Sequence, residues 1–149
     1  MSQLTAFLLC IVGASLTSMV SAISEEELTA LRLAVAPIIS ECAAEYEVSR
    51  NDIDAAKQNR DVDAVASCFI ACGFKKIGVL DSNGLYDAEK VSDKLKLFVQ
   101  NDEDFAKFES IAQTCAKVND EPVDDGAKGC ERAKQILACA FEHRDEMPF

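Results

Sequence analysis

The sequence has little of the chemistry that most enzymes use. It contains no tryptophan, two tyrosines and one histidine, His143, which lies seven residues from the C-terminal end. A hydrolase needs a nucleophile, a base and a group that orients the base, and histidine is the usual base. The composition therefore predicts no catalytic residues and a protein that is not an enzyme.

Positive charge is also scarce. The chain has 15 Lys and Arg against 26 Asp and Glu, which gives a formal net charge of −11 at pH 7. A molecule this acidic is repelled by nucleic acids and by anionic membrane surfaces. We therefore expect no nucleic-acid partner, and we interpret the excess of acids as a source of solubility.

Apolar runs long enough to cross a bilayer are absent after the first 22 residues. The chain begins with an apolar run from Leu4 to Gly13, followed by small residues that end in Val20-Ser21-Ala22. This order is typical of a secretory signal, although no Lys or Arg precedes the apolar run. A membrane anchor would need about 20 apolar residues, and serines and threonines interrupt this run earlier. We predict a signal peptide at 1–22 and one secreted, extracellular domain at 23–149.

The cysteines predict disulfides. One of the seven, Cys10, lies in the predicted signal, and the remaining six are Cys42, Cys68, Cys72, Cys115, Cys130 and Cys139. An even number in a secreted chain indicates three disulfides. A zinc site would need three or four thiolates, and only Cys68 and Cys72 form a short pair, so no metal site is predicted. Neither Cys68–Cys72 nor Cys130–Cys139 can bridge within one helix, which leaves ten of the fifteen possible pairings open.

Apolar residues recur at helical spacing in six segments of the chain. The first begins at the capping box Ser24–Glu27, and its Pro37 predicts a kink or a break near Ala36. We predict a second helix from Ser49 to about 58 and a third, capped by Asp61, at 62–76. A fourth helix begins at Asp87, a fifth at Asn101 or Asp102, and the last spans about 127–142. The fourth segment places Val91, Leu95 and Phe98 on one face.

The third helix has two different faces. Cys68 and Cys72 leave from one face, whereas Ile70, Phe74 and Ile77 form an apolar row on the other. Periodicity alone is compatible with an ordinary core as well as with a cavity, and both interpretations stay open at this point.

The cysteine spacing resembles that of the insect odorant-binding protein family. The intervals between successive mature cysteines are 25, 3, 42, 14 and 8 residues. The third helix of that family and the turn after it also resemble a part of this chain, namely Cys68-Phe69-Ile70-Ala71-Cys72, residues 75–81 and Gly84. The resemblance implies an all-α fold, a six-helix, disulfide-stapled bundle around an apolar cavity. It also implies the disulfides Cys42–Cys72, Cys68–Cys130 and Cys115–Cys139.

The resemblance further implies a secreted carrier of small hydrophobic molecules, such as odorants or pheromones, without a cofactor. A carrier of this kind would deliver its ligand to a membrane receptor. It would be a monomer or a weak homodimer. The ligand-binding residues that it implies are Leu28, Val35, Ile70, Phe74, Val79, Leu80, Leu95, Phe98, Phe108, Ile111, Ala112, Ile136, Ala140 and Phe149. The tail would cover the pocket with Met147 or Phe149, and protonation of His143 beside Asp145 and Glu146 would loosen it. Two alternatives are a carrier of a non-odorant ligand in another secretion and a secreted protein-binding effector or inhibitor on the same scaffold.

Overall fold

The computed structural model describes residues 23–148, so the predicted signal at 1–22 and Phe149 lie outside the described residues. The α-helices of this part of the chain are α1 Glu25–Glu45, α2 Arg50–Asn59, α3 Ser67–Ile77, α4 Ala88–Leu95, α5 Asp102–Cys115 and α6 Cys130–Glu142. Short 3-10 segments occupy Ala116–Asp120, Gly126–Lys128 and Arg144–Glu146. The described residues contain no strand, and Leu80 and Tyr86 form an isolated antiparallel bridge.

Four helices begin where the sequence predicts. Ser24 and Ser49 each cap a helix through their hydroxyls, and the carboxylates of Glu27 and Asp52 accept a hydrogen bond from the backbone N–H of the capping serine, so both capping boxes are complete. Asp87 caps α4, and Asn101 caps α5 by accepting from the backbone N–H groups of its first turn. Each cap satisfies backbone donors that the helix itself leaves unpaired.

Of the predicted kink or break near Ala36, the break is wrong, because α1 continues through Pro37 to Glu45. Proline removes one helical hydrogen bond, but the C-terminal half of α1 is held by packing against α3 and by the disulfide of Cys42. The predicted start of α3 is also wrong. The side chain of Asp61 accepts a hydrogen bond from the Asp63 N–H within a turn, and the helix begins only at Ser67.

Two further boundaries differ from the prediction. The last helix begins at Cys130 because Gly129 has a φ of +71°, a left-handed conformation that separates it from the 3-10 segment before it. Phe98 does not share a helical face with Val91 and Leu95, because α4 ends at Leu95.

α3 lies at the centre of the fold, where it packs against both α1 and α6, while α4 packs against α5. The main core consists of Ile70, Ala71, Leu80, Tyr86, Ile111, Cys115, Cys130, Ala133 and Ile136. A second buried group contains Ile23, Val99 and Phe108. Met147 of the tail packs against both, and the Ile23 N–H donates to the Pro148 carbonyl at 2.8 Å. The tail therefore joins the two ends of the described chain.

Three disulfides brace this arrangement, with the pairing that the resemblance implied. Cys42–Cys72 joins α1 to α3, Cys68–Cys130 joins α3 to α6, and Cys115–Cys139 joins α5 to α6. The predicted fold class, an all-α bundle of six helices stapled by disulfides, is confirmed. None of the helices in residues 23–148 is long and apolar enough to cross a membrane.

Candidate ligand-binding site

The larger of two apolar cavities lies against the apolar row of α3. It has a volume of about 310 Å³ and is enclosed by α1, α2, α3 and α6. Its lining residues are Val35, Ile38, Ile39, Cys42, Ile53, Ala56, Lys57, Val65, Phe69, Ile70, Gly73, Phe74, Ile77, Leu137 and Phe141. Lys57 carries the one charged side chain among them.

Helical spacing explains how α1 and α3 form this cavity. On α1, Val35, Ile39 and Cys42 recur at three and four residues and so share one face. On α3, Gly73 stands where a larger side chain would fill space, since a Cβ added there would meet nothing within 4 Å. The absence of a side chain at Gly73 therefore leaves part of the cavity open.

The smaller cavity lies within the main core and has a volume of about 160 Å³. It is lined by Phe74, Val79, Tyr86, Val91, Leu95, Phe108, Ile111, Ala112, Cys115, Ile136, Ala140 and Met147. Phe74 also lines the larger cavity, so its ring lies between the two spaces.

The structure divides the predicted pocket residues between these two cavities. Val35, Ile70 and Phe74 line the larger one. The smaller one contains Val79, Leu95, Phe108, Ile111, Ala112, Ile136 and Ala140 as well as Phe74. Leu28, Leu80 and Phe98 line neither: Leu80 is buried in the main core, and Phe98 lies at a shallow surface depression beside Leu97. Phe149 lies outside the described residues.

Sequence reasoning missed the wall that α2 contributes. Ile53, Ala56 and Lys57 face the larger cavity, although α2 is polar over most of its length. The only signal in its sequence is the isolated pair Ile53 and Ala56, three residues apart on one face. Leu137 and Phe141 of α6 were also missed, although their spacing of four residues marks one face.

The tail fastens the C-terminal end of α2. The Arg144 guanidinium donates to the Lys57 carbonyl at 2.8 Å, and Arg60 binds the Asp145 carboxylate through two nitrogens at 2.5 and 3.1 Å. We call Arg60, Arg144 and Asp145 the tail latch. Hydrogen bonds and charge from Arg60 hold the pKa of the Asp145 carboxyl below its usual range, and Asp145 raises the pKa of Arg60.

Tyr86 belongs to the smaller cavity. Its backbone N–H donates to the Asn119 side chain at 2.9 Å, and the Asn119 amide donates back to the Tyr86 carbonyl at 2.9 Å. Burial, with a smaller contribution from the charge of Asp87, raises the pKa of the Tyr86 phenol to about 12. The phenol therefore stays neutral in this apolar space.

The tail histidine lies apart from both cavities. His143 is within 2.6 Å of Glu146 through its Nδ1 atom, and neither residue lines a cavity wall. In the part of the chain that the structure describes, no three His, Cys, Asp or Glu side chains are grouped to hold a metal ion. What the arrangement offers chemically is an apolar space that can take hydrophobic surface out of water.

Six helices, braced by three disulfides around apolar cavities, define a class of small-ligand carriers. The PBP/GOBP family model matches residues 24–143, which is most of the chain, and the protein belongs to that family. The predicted membership of the insect odorant-binding proteins is thereby confirmed.

Two curated relatives from Drosophila melanogaster are similar to this chain. General odorant-binding protein 57c is 28% identical over 156 aligned positions, which cover 97% of this chain and 92% of the relative. General odorant-binding protein 28a is 33% identical over 97 positions, which cover 62% and 64% of the two chains. The solved structure of odorant-binding protein 28a from the same organism matches with a TM-score of 0.58 and 26% identity, and covers 80% of this chain and 95% of that one.

Proposed function

We propose that this protein is a secreted, non-enzymatic carrier that takes a small hydrophobic molecule into the larger cavity. The observation that carries the proposal is an apolar space of about 310 Å³ whose wall includes one charged side chain, Lys57. Membership of the PBP/GOBP family supports a role in carrying small ligands. The names of the two Drosophila relatives support an odorant as the ligand.

Binding in such a space is driven by removal of apolar ligand surface from water. At about 25 cal/mol per Å², a ligand that buries roughly 200–300 Å² gains about 5–7 kcal/mol. A gain of this size corresponds to a Kd of roughly 10–200 μM. The larger cavity is the better site because it has about twice the volume of the smaller one.

A carrier without catalysis agrees with the chemistry of the chain. The six cysteines of the described residues are all in disulfides, and the one histidine lies on the tail. Neither a thiolate nor a histidine base is therefore available at the cavity. Two points stay predictions: that the carrier delivers its ligand to a membrane receptor, and that it is a monomer or a weak homodimer.

Secretion is the part of the proposal that rests on the leader at 1–22. If it is a signal peptide cleaved after Ala22, eukaryotic cells that express the whole chain will release a protein that begins at Ile23. Intact mass of the protein in the medium measures this. Retention of the whole chain inside the cell, with residues 1–22 still attached, would contradict secretion without affecting the carrier role.

Filling the larger cavity tests the binding site. The Gly73→Leu variant should place a side chain in the cavity and weaken the binding of an apolar fluorescent probe at least tenfold. Its melting temperature should not fall, because glycine in a helix costs about 0.5–1 kcal/mol relative to alanine and a Cβ at this position meets no atom.

Ala106→Leu on the exposed side of α5 is the matched control, because it creates the same side chain away from both cavities. This control should bind the probe as the wild type does. If Gly73→Leu, correctly folded, binds the probe with unchanged affinity, the ligand does not occupy the larger cavity.

A further inference from the structure

A second space adjoins the larger cavity on its solvent side. It lies between α1 and α2 and has a volume of about 630 Å³. We call it the α1–α2 groove. It is lined by Arg32, Val35, Ala36, Ile39, Ser40, Ala43, Arg50, Ile53, Asp54 and Lys57. Val35, Ile39, Ile53 and Lys57 line both the groove and the cavity, so a single molecule could extend from one into the other.

The charges of the groove are opposite to those of the whole protein. The chain has 26 acidic and 15 basic residues, but the groove contains three cations, Arg32, Arg50 and Lys57, and one acid, Asp54. All four side chains are exposed at its edges. This is a local excess of positive charge beside an apolar cavity.

The three cations are also not engaged by acids of the protein. None of Arg32, Arg50 and Lys57 forms an ion pair with a carboxylate of residues 23–148. Other cations of the chain do have such partners: Arg60 binds Asp145, Lys76 binds Glu41, and Lys134 binds Asp63. The guanidinium and ammonium groups of the groove are therefore free to receive an external anion.

We propose that the ligand is an amphiphile with one carboxylate: its hydrocarbon tail fills the larger cavity, and its carboxylate lies in the α1–α2 groove against Arg32, Arg50 and Lys57. This inference rests on the proposed function, since it specifies the class of ligand that the same cavity carries. Arginine suits the head group because its planar guanidinium binds both oxygens of a carboxylate. Lys57 lies where the tail meets the head, because it lines both spaces.

The charge of the head group adds selectivity more than affinity. An exposed pair of opposite charges is worth little, so each cation should contribute about a twofold gain, and the three together roughly tenfold. The hydrocarbon tail still provides most of the binding through burial. The same geometry disfavours an amine, because like charges would meet in the groove.

Ligands of one chain length and different head groups test the proposal. Decanoate, 1-decanol and decylamine compete at pH 7 against a fluorescent apolar probe bound to the mature chain. We expect decanoate to bind roughly tenfold more tightly than decanol and decylamine to bind most weakly. Raising the salt concentration to about 0.5 M should remove most of the difference between decanoate and decanol, because salt screens exposed charges.

Variants of the groove identify the residues responsible. In the double variant Arg32→Gln and Arg50→Gln, the ratio of decanoate to decanol affinity should fall at least threefold. Adding Lys57→Gln should bring the ratio close to one. Lys117→Gln is the matched control, because it removes the same charge from an exposed position far from the groove in sequence and outside its lining. Circular dichroism and the melting temperature verify that each variant is folded.

The outcomes separate this inference from the function on which it rests. If decanol binds as tightly as decanoate, or if the double variant keeps the wild-type ratio, the carboxylate inference is wrong and the carrier stands. If neither the probe nor any of the three ligands binds the folded protein, the carrier proposal itself is wrong.

Discussion

The larger and the smaller cavity meet at the ring of Phe74, but different kinds of structure enclose them. The larger one has α2 as one wall, and α2 has no extensive packing contact with another helix of the described chain. The disulfide Cys42–Cys72 and the tail latch hold this side of the molecule. Its wall is therefore attached at a few points and can adjust to a guest.

The smaller cavity is enclosed by the main core. Ile111 and Ile136 on its wall are buried core residues, and Cys115–Cys139 joins the two helices that carry them. α4 packs along α5 on the remaining side. The space left between these helices is about 160 Å³, roughly half that of the larger cavity. The two cavities therefore differ in size and in how their walls are attached, although both are apolar.

Removing one disulfide at a time gives the largest expected effects. One double variant, Cys42→Ala with Cys72→Ala, removes the disulfide between α1 and α3. The other, Cys115→Ala with Cys139→Ala, removes the one between α5 and α6. Each should lower the free energy of unfolding by about 2–4 kcal/mol. Only the first pair should also lose most of the probe binding, because it frees α1 from α3 at the larger cavity. Urea unfolding followed by circular dichroism measures the free energy of unfolding. Titration with the probe, below the melting temperatures of both variants, measures the affinity. An equal loss of binding in both variants would show that the two cavities act as one.

Removing the ring between the cavities is the next largest change. Phe74→Ala should join the two spaces and favour ligands with a longer chain. Because Phe74 is half-buried, its truncation should cost about 2–4 kcal/mol, somewhat less than a fully buried phenylalanine. Affinities for carboxylates of increasing chain length measure the change in preference.

Phe69→Ala is the matched control for this variant, because Phe69 lines the larger cavity alone. It creates additional space without joining the cavities, so the preferred chain length should change less. If the two variants select the same chain length, Phe74 does not separate the spaces.

The sequence predicted the elements of the smaller cavity better than those of the larger. The helices α4 and α5 beside the smaller cavity carry apolar residues at regular helical spacing. Seven of the predicted pocket residues besides Phe74 consequently lie there. Regular periodicity predicts a face that is buried, but it does not state whether that face meets a neighbour or an empty space.

The larger cavity was predicted only in part because its features are local exceptions. α2 is mostly polar, and of its residues Ile53 and Ala56 give the cavity an apolar wall. Gly73 leaves space because it has no side chain. Likewise, Pro37 suggested a break that packing and a disulfide override. The helices follow from short-range rules and the disulfide pairing was implied by the resemblance, whereas the cavity depends on how distant helices meet.

The titration of Tyr86 should report on the smaller cavity. Its raised pKa means that the folded state favours the neutral phenol, so this contribution to stability is fully present below about pH 10, the ordinary tyrosine pKa. It should be lost as pH rises toward about 12. The absorbance change of phenolate near 295 nm should include a late step that is absent in Tyr86→Phe. A ligand confined to the larger cavity should leave that step in place, whereas a shift of the step on ligand addition would put the ligand beside Tyr86.

Opening the tail latch should give the smallest effect, and only on the larger cavity. Asp145→Asn removes the ion pair with Arg60 at the end of α2 and should weaken probe binding no more than about threefold, because the pair is exposed.

Arg60 lowers the pKa of Asp145, so the pair should be intact at pH 7 and pH 5 and should be lost only as pH falls below the ordinary aspartate pKa of about 3.9. Probe titrations at pH 7, 5 and 3 measure this, with Glu103→Gln as the control because it removes an exposed ion pair, with Lys107, that lies within α5. A loss of affinity between pH 7 and pH 5 that Asp145→Asn does not change would mean that a group outside the tail latch controls release.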